Sequence, residues 1–282
     1  MFKSIATSCR SGALAAVILI ALPAARAAAQ SAAEHIALGD REDAAMNAPG
    51  ALKHYEDAIK VDPKSYEALW KAAREAVDVS EYDPNEDEKN RLYAEAELYA
   101  RRAVEANPSD AEGHFNLARA LGRKALTLGK RDQVRYAADV RTQALEALRL
   151  NPKHGGALHV MGMWNYNVMR LSGIARFMAK TFLGGRVFDS ANWDDAQRYM
   201  EESVRSEPNR LVHRLDLARV YAARGDRDRA RAQYEATIRA TPTEYNDRHY
   251  QAEASEEIRT RIELITSGRL IEPRSTDRTA VN

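Results

Sequence analysis

The chain has one cysteine, Cys9, among 282 residues. It lies ahead of the first apolar run, so everything after it lacks disulfides, thiolate metal ligands and cysteine nucleophiles. Such a chain must rely on its apolar core. The run Gly12–Leu22 has 11 residues, well short of the roughly 20 that a membrane-spanning helix needs. An excess of either charge is also missing: 42 Lys and Arg face 41 Asp and Glu. Overall charge therefore gives no reason to expect nucleic acid as a partner. Enzymatic signatures are absent too, with no GxSxG elbow, no GxxxxGK(S/T) phosphate loop, no GxGxxG and no HExxH. The seven histidines, His35, His54, His114, His154, His159, His213 and His249, never recur at the four-residue spacing by which one helix holds a metal. The carboxylates lie in helical charge faces. The expectation is a non-enzyme with no cofactor and no metal site.

Residues 1–29 carry Lys3 and Arg10, the apolar run, Pro23 and small-x-small sites at Ala25-Arg26-Ala27 and Ala27-Ala28-Ala29. This is the pattern of a secretory signal peptide. It predicts export, to the periplasm or outside the cell, after cleavage. Its removal deletes three cations and no acid, moving the formal charge from +1 to −2. Residues 267–282 have little apolar content and are expected to be disordered. The folded domain is then 30–266.

Within it prolines mark a period. Asp62-Pro63, Asn107-Pro108, Asn151-Pro152, Glu207-Pro208 and Thr241-Pro242 each follow one amphipathic segment and precede another, as suits a residue that cannot continue a helix. The stretch Leu211–Pro242 places Leu217, Ala218, Tyr221, Ala230, Tyr234 and Pro242 at the offsets of the 34-residue tetratricopeptide repeat. Small residues recur at the equivalent positions Gly39, Ala73, Ala118, Gly162 and Ala218, where two helices of a unit approach closely. The prolines are 45, 44, 56 and 34 residues apart, so three units carry insertions. One of these is expected to be an acidic loop over Ser80–Asn90. Asn192 is expected to cap a helix beginning at Trp193. A charged helix over Glu244–Ile265 is expected to cap the last repeat. The fold class is all-α: a tetratricopeptide-like right-handed α-solenoid of about five helix-turn-helix units, with insertions and a C-terminal capping helix.

The insertions carry a more specific likeness. Tyr66, Leu69-Trp70-Lys71 and Arg74, then Gly113-His114, Leu121-Gly122 and Gly129-Lys130 stand in an order that resembles the regulator of microtubule dynamics family. So do Ala147, Leu150-Asn151-Pro152, Leu158, Met161-Gly162 and Trp164, followed by Ala175–Gly184, Ala196 and Glu201-Glu202. The likeness spans about Ser65 to Ala240. It implies a tetratricopeptide fold, in a family named for eukaryotic members that associate with microtubules, some of them linked to lipid handling. This chain departs from that pattern by opening on an export signal.

The candidate site is a repeating pair on the first helix of successive units. Trp70, Phe115, His159 and Leu215 each stand four residues before Arg74, Arg119, Met163 and Arg219, and i,i+4 residues share a helix face. With Arg123 and Tyr166 they would line a concave groove, an apolar-aromatic stripe beside guanidinium forks that bind carboxylate or phosphate. The preferred reading is a protein or peptide partner bound through an anionic segment. The alternative is a phospholipid or other amphipathic ligand in the same groove, its acyl chains against Trp70, Phe115, Met163 and Tyr166. Residues 151–188 contain no Asp or Glu but five Lys or Arg. With apolar residues at helical spacing, 170–188 could also meet an anionic membrane surface.

Overall fold

A computed structural model describes residues 31–172 and 185–266, the side chains of 130, 185–186 and 261–266 excepted. The expected signal segment, the C-terminal tail and most of the basic stretch 170–188 lie outside the described residues. The chain divides at Pro108 into two compact units.

The N-terminal unit is two helix pairs: α1 (31–44) with α2 (Ala48–Val61), and α3 (Tyr66–Glu81) with α4 (Glu86–Ala106). The C-terminal unit holds three pairs and a closing helix. These are α5 (Ala111–Ala125) with α6 (Lys130–Leu150), α7 (Gly155–Arg170) with α8 (Trp193–Ser206), α9 (Leu211–Ala223) with α10 (Arg227–Arg239), and α11 (Asp247–Thr266). A short 3-10 turn, Gly185–Ser190, precedes α8. The five pairs and the closing helix are the elements of a tetratricopeptide-like α-solenoid.

Seven of the helix starts have a side-chain cap. Asn47, Ser65, Asn85, Asp110, Asn192 and Asp226 accept backbone N–H groups of the first turns of α2, α3, α4, α5, α8 and α10, satisfying donors that have no partner inside the helix. His154 does the same for α7 through Nδ1, which accepts from Ala157 N–H at 3.2 Å. The sharp exit from α9 is made by Gly225 at φ +82°, a backbone geometry that suits a residue without a side chain.

The small packing positions hold. An added Cβ on Gly39 would stand 2.4 Å from the Tyr55 ring, and on Gly162 it would stand 2.5 Å from the Met200 side chain and 3.2 Å from its backbone nitrogen. Ala73, Ala118 and Ala218 are buried. Between the two helices of a pair the core is made largely of alanine with a few large side chains, Tyr55, Leu69, Leu121, Met200 and Tyr234 among them. Removing one of these leaves a cavity that close neighbours cannot fill, at a cost of about 2–5 kcal/mol.

The expected acidic loop over Ser80–Asn90 is largely helix. The connection is only 82–85, and Glu86, Asp87 and Glu88 form the first turn of α4, where carboxylates favour the positive helix end. The extra residues of the second and third repeats lengthen helices instead: 16 and 21 residues in α3 and α4, and 15 and 21 in α5 and α6, against 13 and 13 in α9 and α10. The charged closing helix begins at Asp247 rather than Glu244, because the Asp247 carboxylate turns back to accept the N–H groups of Thr243 and Glu244 at 2.7 and 2.8 Å. The end of the fourth-repeat insertion packs inward, with Phe188 buried and 6.0 Å from the Trp164 ring.

Candidate functional site

In the N-terminal unit the site residues Trp70 and Arg74 lie on α3, facing α1. Trp70 is half-buried, with Lys71 Nζ and Arg74 Cζ each 5.6 Å from its ring centroid. Arg74 is held by Asp43 of α1 at 2.5 Å and by Glu75 at 2.6 Å. One turn earlier Lys71 bridges Asp40 of α1 and Glu67, both at 2.7 Å, and Tyr55 O–H donates to Asp40 at 2.7 Å. Burial would raise the Asp40 carboxyl, but the hydrogen bonds from Lys71 and Tyr55 hold it below its ordinary range. Glu75 goes the other way: burial outweighs the attraction of Arg74 and pushes its carboxyl up.

In the C-terminal unit the first helices α5, α7, α9 and α11 follow one another side by side. His159 of α7 stacks on His213 of α9 with ring centroids 4.7 Å apart, and its Nε2 lies 2.8 Å from Asp216 Oδ2. Asp216 also accepts from Arg219 Nη1 at 2.8 Å. Arg219 then reaches α11, pairing with Glu253 at 2.5 Å and Glu257 at 2.6 Å, and Glu257 accepts from Tyr234 O–H at 2.8 Å. Burial would raise the Asp216 carboxyl; the His159 hydrogen bond and the Arg219 charge more than offset it and hold it at about 2. His213 is driven well below the ordinary imidazole range, first by burial and then by the positive surroundings of His159, Arg210 and Arg119.

The expected stripe is therefore resolved into three kinds of position. Phe115, Tyr166 and Leu215 are core residues at 6%, 3% and 0% exposure. Phe115 packs with Ala111, Ala147 and Ala157 and against the His154 ring. Tyr166 meets Trp193 edge-on and its hydroxyl accepts from Arg170 at 3.0 Å. Arg74, Arg219 and His159 are struts between neighbouring first helices. Arg119, Arg123 and Met163 are half-buried on α5 and α7, with Arg119 close enough to His213 to act on its titration.

Sequence reasoning missed the partners: Asp40 and Asp43 for the cations of α3, Asp216 and His213 beside His159, and Glu253 and Glu257 for Arg219. A signal was available. Asp40 to Lys71 and Asp43 to Arg74 are each 31 residues apart, and Arg219 to Glu253 is 34. Equivalent positions on consecutive first helices lie one repeat length apart, 34 residues for Gly39 and Ala73, so opposite charges at that spacing, or one helical turn short of it, predict an inter-repeat ion pair.

Helix pairs joined by proline turns, small residues at the close approaches and polar struts between the first helices define a tetratricopeptide-type repeat protein, a class that binds partners on the surface its stacked helices create. Residues 31–262 match the model of the family described as regulator of microtubule dynamics protein 1-3. The chain belongs to this family. It is similar to regulator of microtubule dynamics protein 1 of Bos taurus, 30% identical over 144 residues that make up 51% of this chain and 45% of the relative. The Homo sapiens protein of that name is 30% identical over 141 residues, 50% of this chain and 44% of the relative. The chain thus matches a little under half the length of these curated relatives. Among solved structures it is similar to a thermophilic tetratricopeptide protein of Thermus thermophilus, with a TM-score of 0.55 at 21% identity over 80% of this chain and 99% of that one. At this identity the likeness speaks for the fold alone.

Proposed function

We propose that the chain is a non-catalytic, exported scaffold that binds a peptide segment of a partner protein along α5, α7 and α9. The carrying observation is where the polar side chains stand. Much of the alanine-rich core lies between the two helices of each pair, and α5 meets α7 through Phe115 and Ala157, while α7, α9 and α11 are joined by charged and imidazole groups that stay partly open to solvent, His159 at 16% and Arg219 at 23% side-chain exposure. Such a surface offers directional hydrogen bonds to a chain laid across it.

The anionic group expected of that partner is received by Arg119 and Arg123 on α5, since Arg219 is already committed to three carboxylates. Both arginines also interact within the fold, so an incoming carboxylate exchanges with those contacts. The amphipathic-ligand alternative has less support, because Phe115 and Tyr166, two of its four apolar contacts, are closed inside the core. Export would keep this chain away from the cytoskeleton for which its relatives are named.

The test is capture of partners by the full-length protein expressed with its N-terminal segment, followed by cell fractionation and peptide mapping. Replacing Arg119 and Arg123 together by Ala should abolish capture at unchanged helicity. Capture that survives the double change, or that recovers only lipid in organic extracts, removes this reading. A chain that stays in the cytoplasm removes its export component.

A further inference from the structure

We propose that His35, His54 and Asp57 form a site for a divalent first-row transition-metal ion, with Zn2+ the best match to the donor set. His35 lies on α1, while His54 and Asp57 lie on α2 three residues apart and so share a face. The α1–α2 pairing brings them together: one donor atom from each lies within 4.8 Å of the others. Ligand atoms around a tetrahedral zinc, at bonds near 2.0–2.2 Å, stand about 3.3 Å apart. Binding would draw the three donor atoms together from that spacing.

A second observation points to a ligand. Nδ1 of His35 and Nδ1 of His54 are both shielded from solvent and have no hydrogen-bond partner among the described residues. A buried polar atom without a partner carries a desolvation cost, and here two such atoms occur on neighbouring rings, their centroids 6.2 Å apart. Bond formation to a metal through Nδ1 of each ring would satisfy them. Asp57 is held by Lys60 at 2.8 Å and Lys53 at 3.5 Å, but those lysine side chains are 72% and 74% exposed. Exposed ion pairs are weak, so the carboxylate can be released to the ion. Two imidazoles and a carboxylate make a three-ligand set that suits zinc, copper or nickel and leaves one position for water. The bound ion would fasten α1 to α2 at the start of the first repeat, coupling metal binding to that repeat's stability. The two histidines are 19 residues apart, which is why ligand spacing along a single helix does not reveal them.

The experiment uses the untagged full-length chain, freed of metal by a chelator. Zn2+ is titrated by calorimetry, and Co2+ is followed by its visible absorption. The expected result is saturable one-to-one binding, a Co2+ spectrum of four- or five-coordinate intensity and a Tm that rises with Zn2+. His35→Gln and His54→Gln should each abolish the one-to-one isotherm and the Tm rise at wild-type helicity, Asp57→Asn should weaken both, and His249→Gln should change neither. If His54→Gln fails to fold, His35→Gln alone decides. Absence of saturable binding by the wild-type chain overturns the proposal. Binding that persists in the folded histidine variants, or that His249→Gln reduces equally, also overturns it.

Discussion

Arg74 of α3 and Arg219 of α9 occupy the same position in the repeat, directly after the small packing residue, and they are used in opposite directions. Arg74 reaches back to Asp43 on the preceding first helix, while Arg219 reaches forward to Glu253 and Glu257 on the helix that follows. Each ties an end helix of the described fold, α1 or α11, to its neighbour. The groups they leave behind also differ. Beside Arg74 stands Glu75, a buried carboxyl whose environment favours the protonated form. Beside Arg219 stands Asp216, a buried carboxyl held ionised. In both units the arginine is spent on the first helix that ends the row, α1 or α11.

The comparison predicts unequal costs. Arg219→Ala should be the most damaging, because it leaves Asp216 buried and charged and also frees α11 from Glu253 and Glu257. Removing one partner of a buried ion pair costs about 3–5 kcal/mol, and chemical denaturation should show a loss of that order. Arg74→Ala should cost less, about 2 kcal/mol, because Glu75 can take up a proton and Asp43 at 43% exposure returns to water. Equal losses in the two variants would break the comparison.

A pH series sharpens it. The depressed Asp216 carboxyl contributes stability that is present above its unfolded value of 3.8 and lost as pH falls toward about 2, roughly 2 kcal/mol for a shift of this size. Asp216→Asn should remove that acid-side slope. Glu75 has the reverse sign: its raised carboxyl contributes stability that is full below the unfolded value of 4.5 and is lost as pH rises through its folded value. Glu75→Gln should therefore flatten the slope on the alkaline side of 4.5, and an unchanged slope would show that Arg74 already keeps it ionised.

Much of this fold could be read from the chain, and the reasons are local. Prolines after each helix pair, small residues at the close approaches and Asn192 before Trp193 act within a few residues of themselves. The acidic stretch 80–90 reads as a loop because Glu86-Asp87-Glu88 is compatible with both a solvated connection and a helix start; the Asn85 cap, which accepts from Asp87 and Glu88 N–H, decides for the helix. The site was less legible. Trp70 and Arg74 sit as a pair on one face, but whether an arginine serves a ligand or a neighbouring helix depends on a carboxylate one repeat away. Phe115 and Leu215 share the i,i+4 relation to an arginine and yet are core, because a helix packed on two sides has little surface to spare.

The test confined to the narrowest pH range concerns His213, which has no counterpart near Arg74. It is buried at 2% exposure, its Nδ1 is 3.7 Å from Glu207, too far for a hydrogen bond, and His159, Arg210 and Arg119 surround it with positive or protonatable groups. Its folded titration lies well below the unfolded value of 6.5. The stability it contributes is therefore present above 6.5 and declines as pH falls below it, since the unfolded chain takes up a proton that the folded chain resists. Unfolding measured from pH 7.5 to 5 should show a decline in the wild type that His213→Gln reduces, with Arg74→Ala leaving it in place. A decline of the same size in the His213 variant would move the acid sensitivity away from the α7–α9 contact. Such a result would leave the contrast between the two struts resting on their direction and on the carboxyls beside them, Glu75 and Asp216.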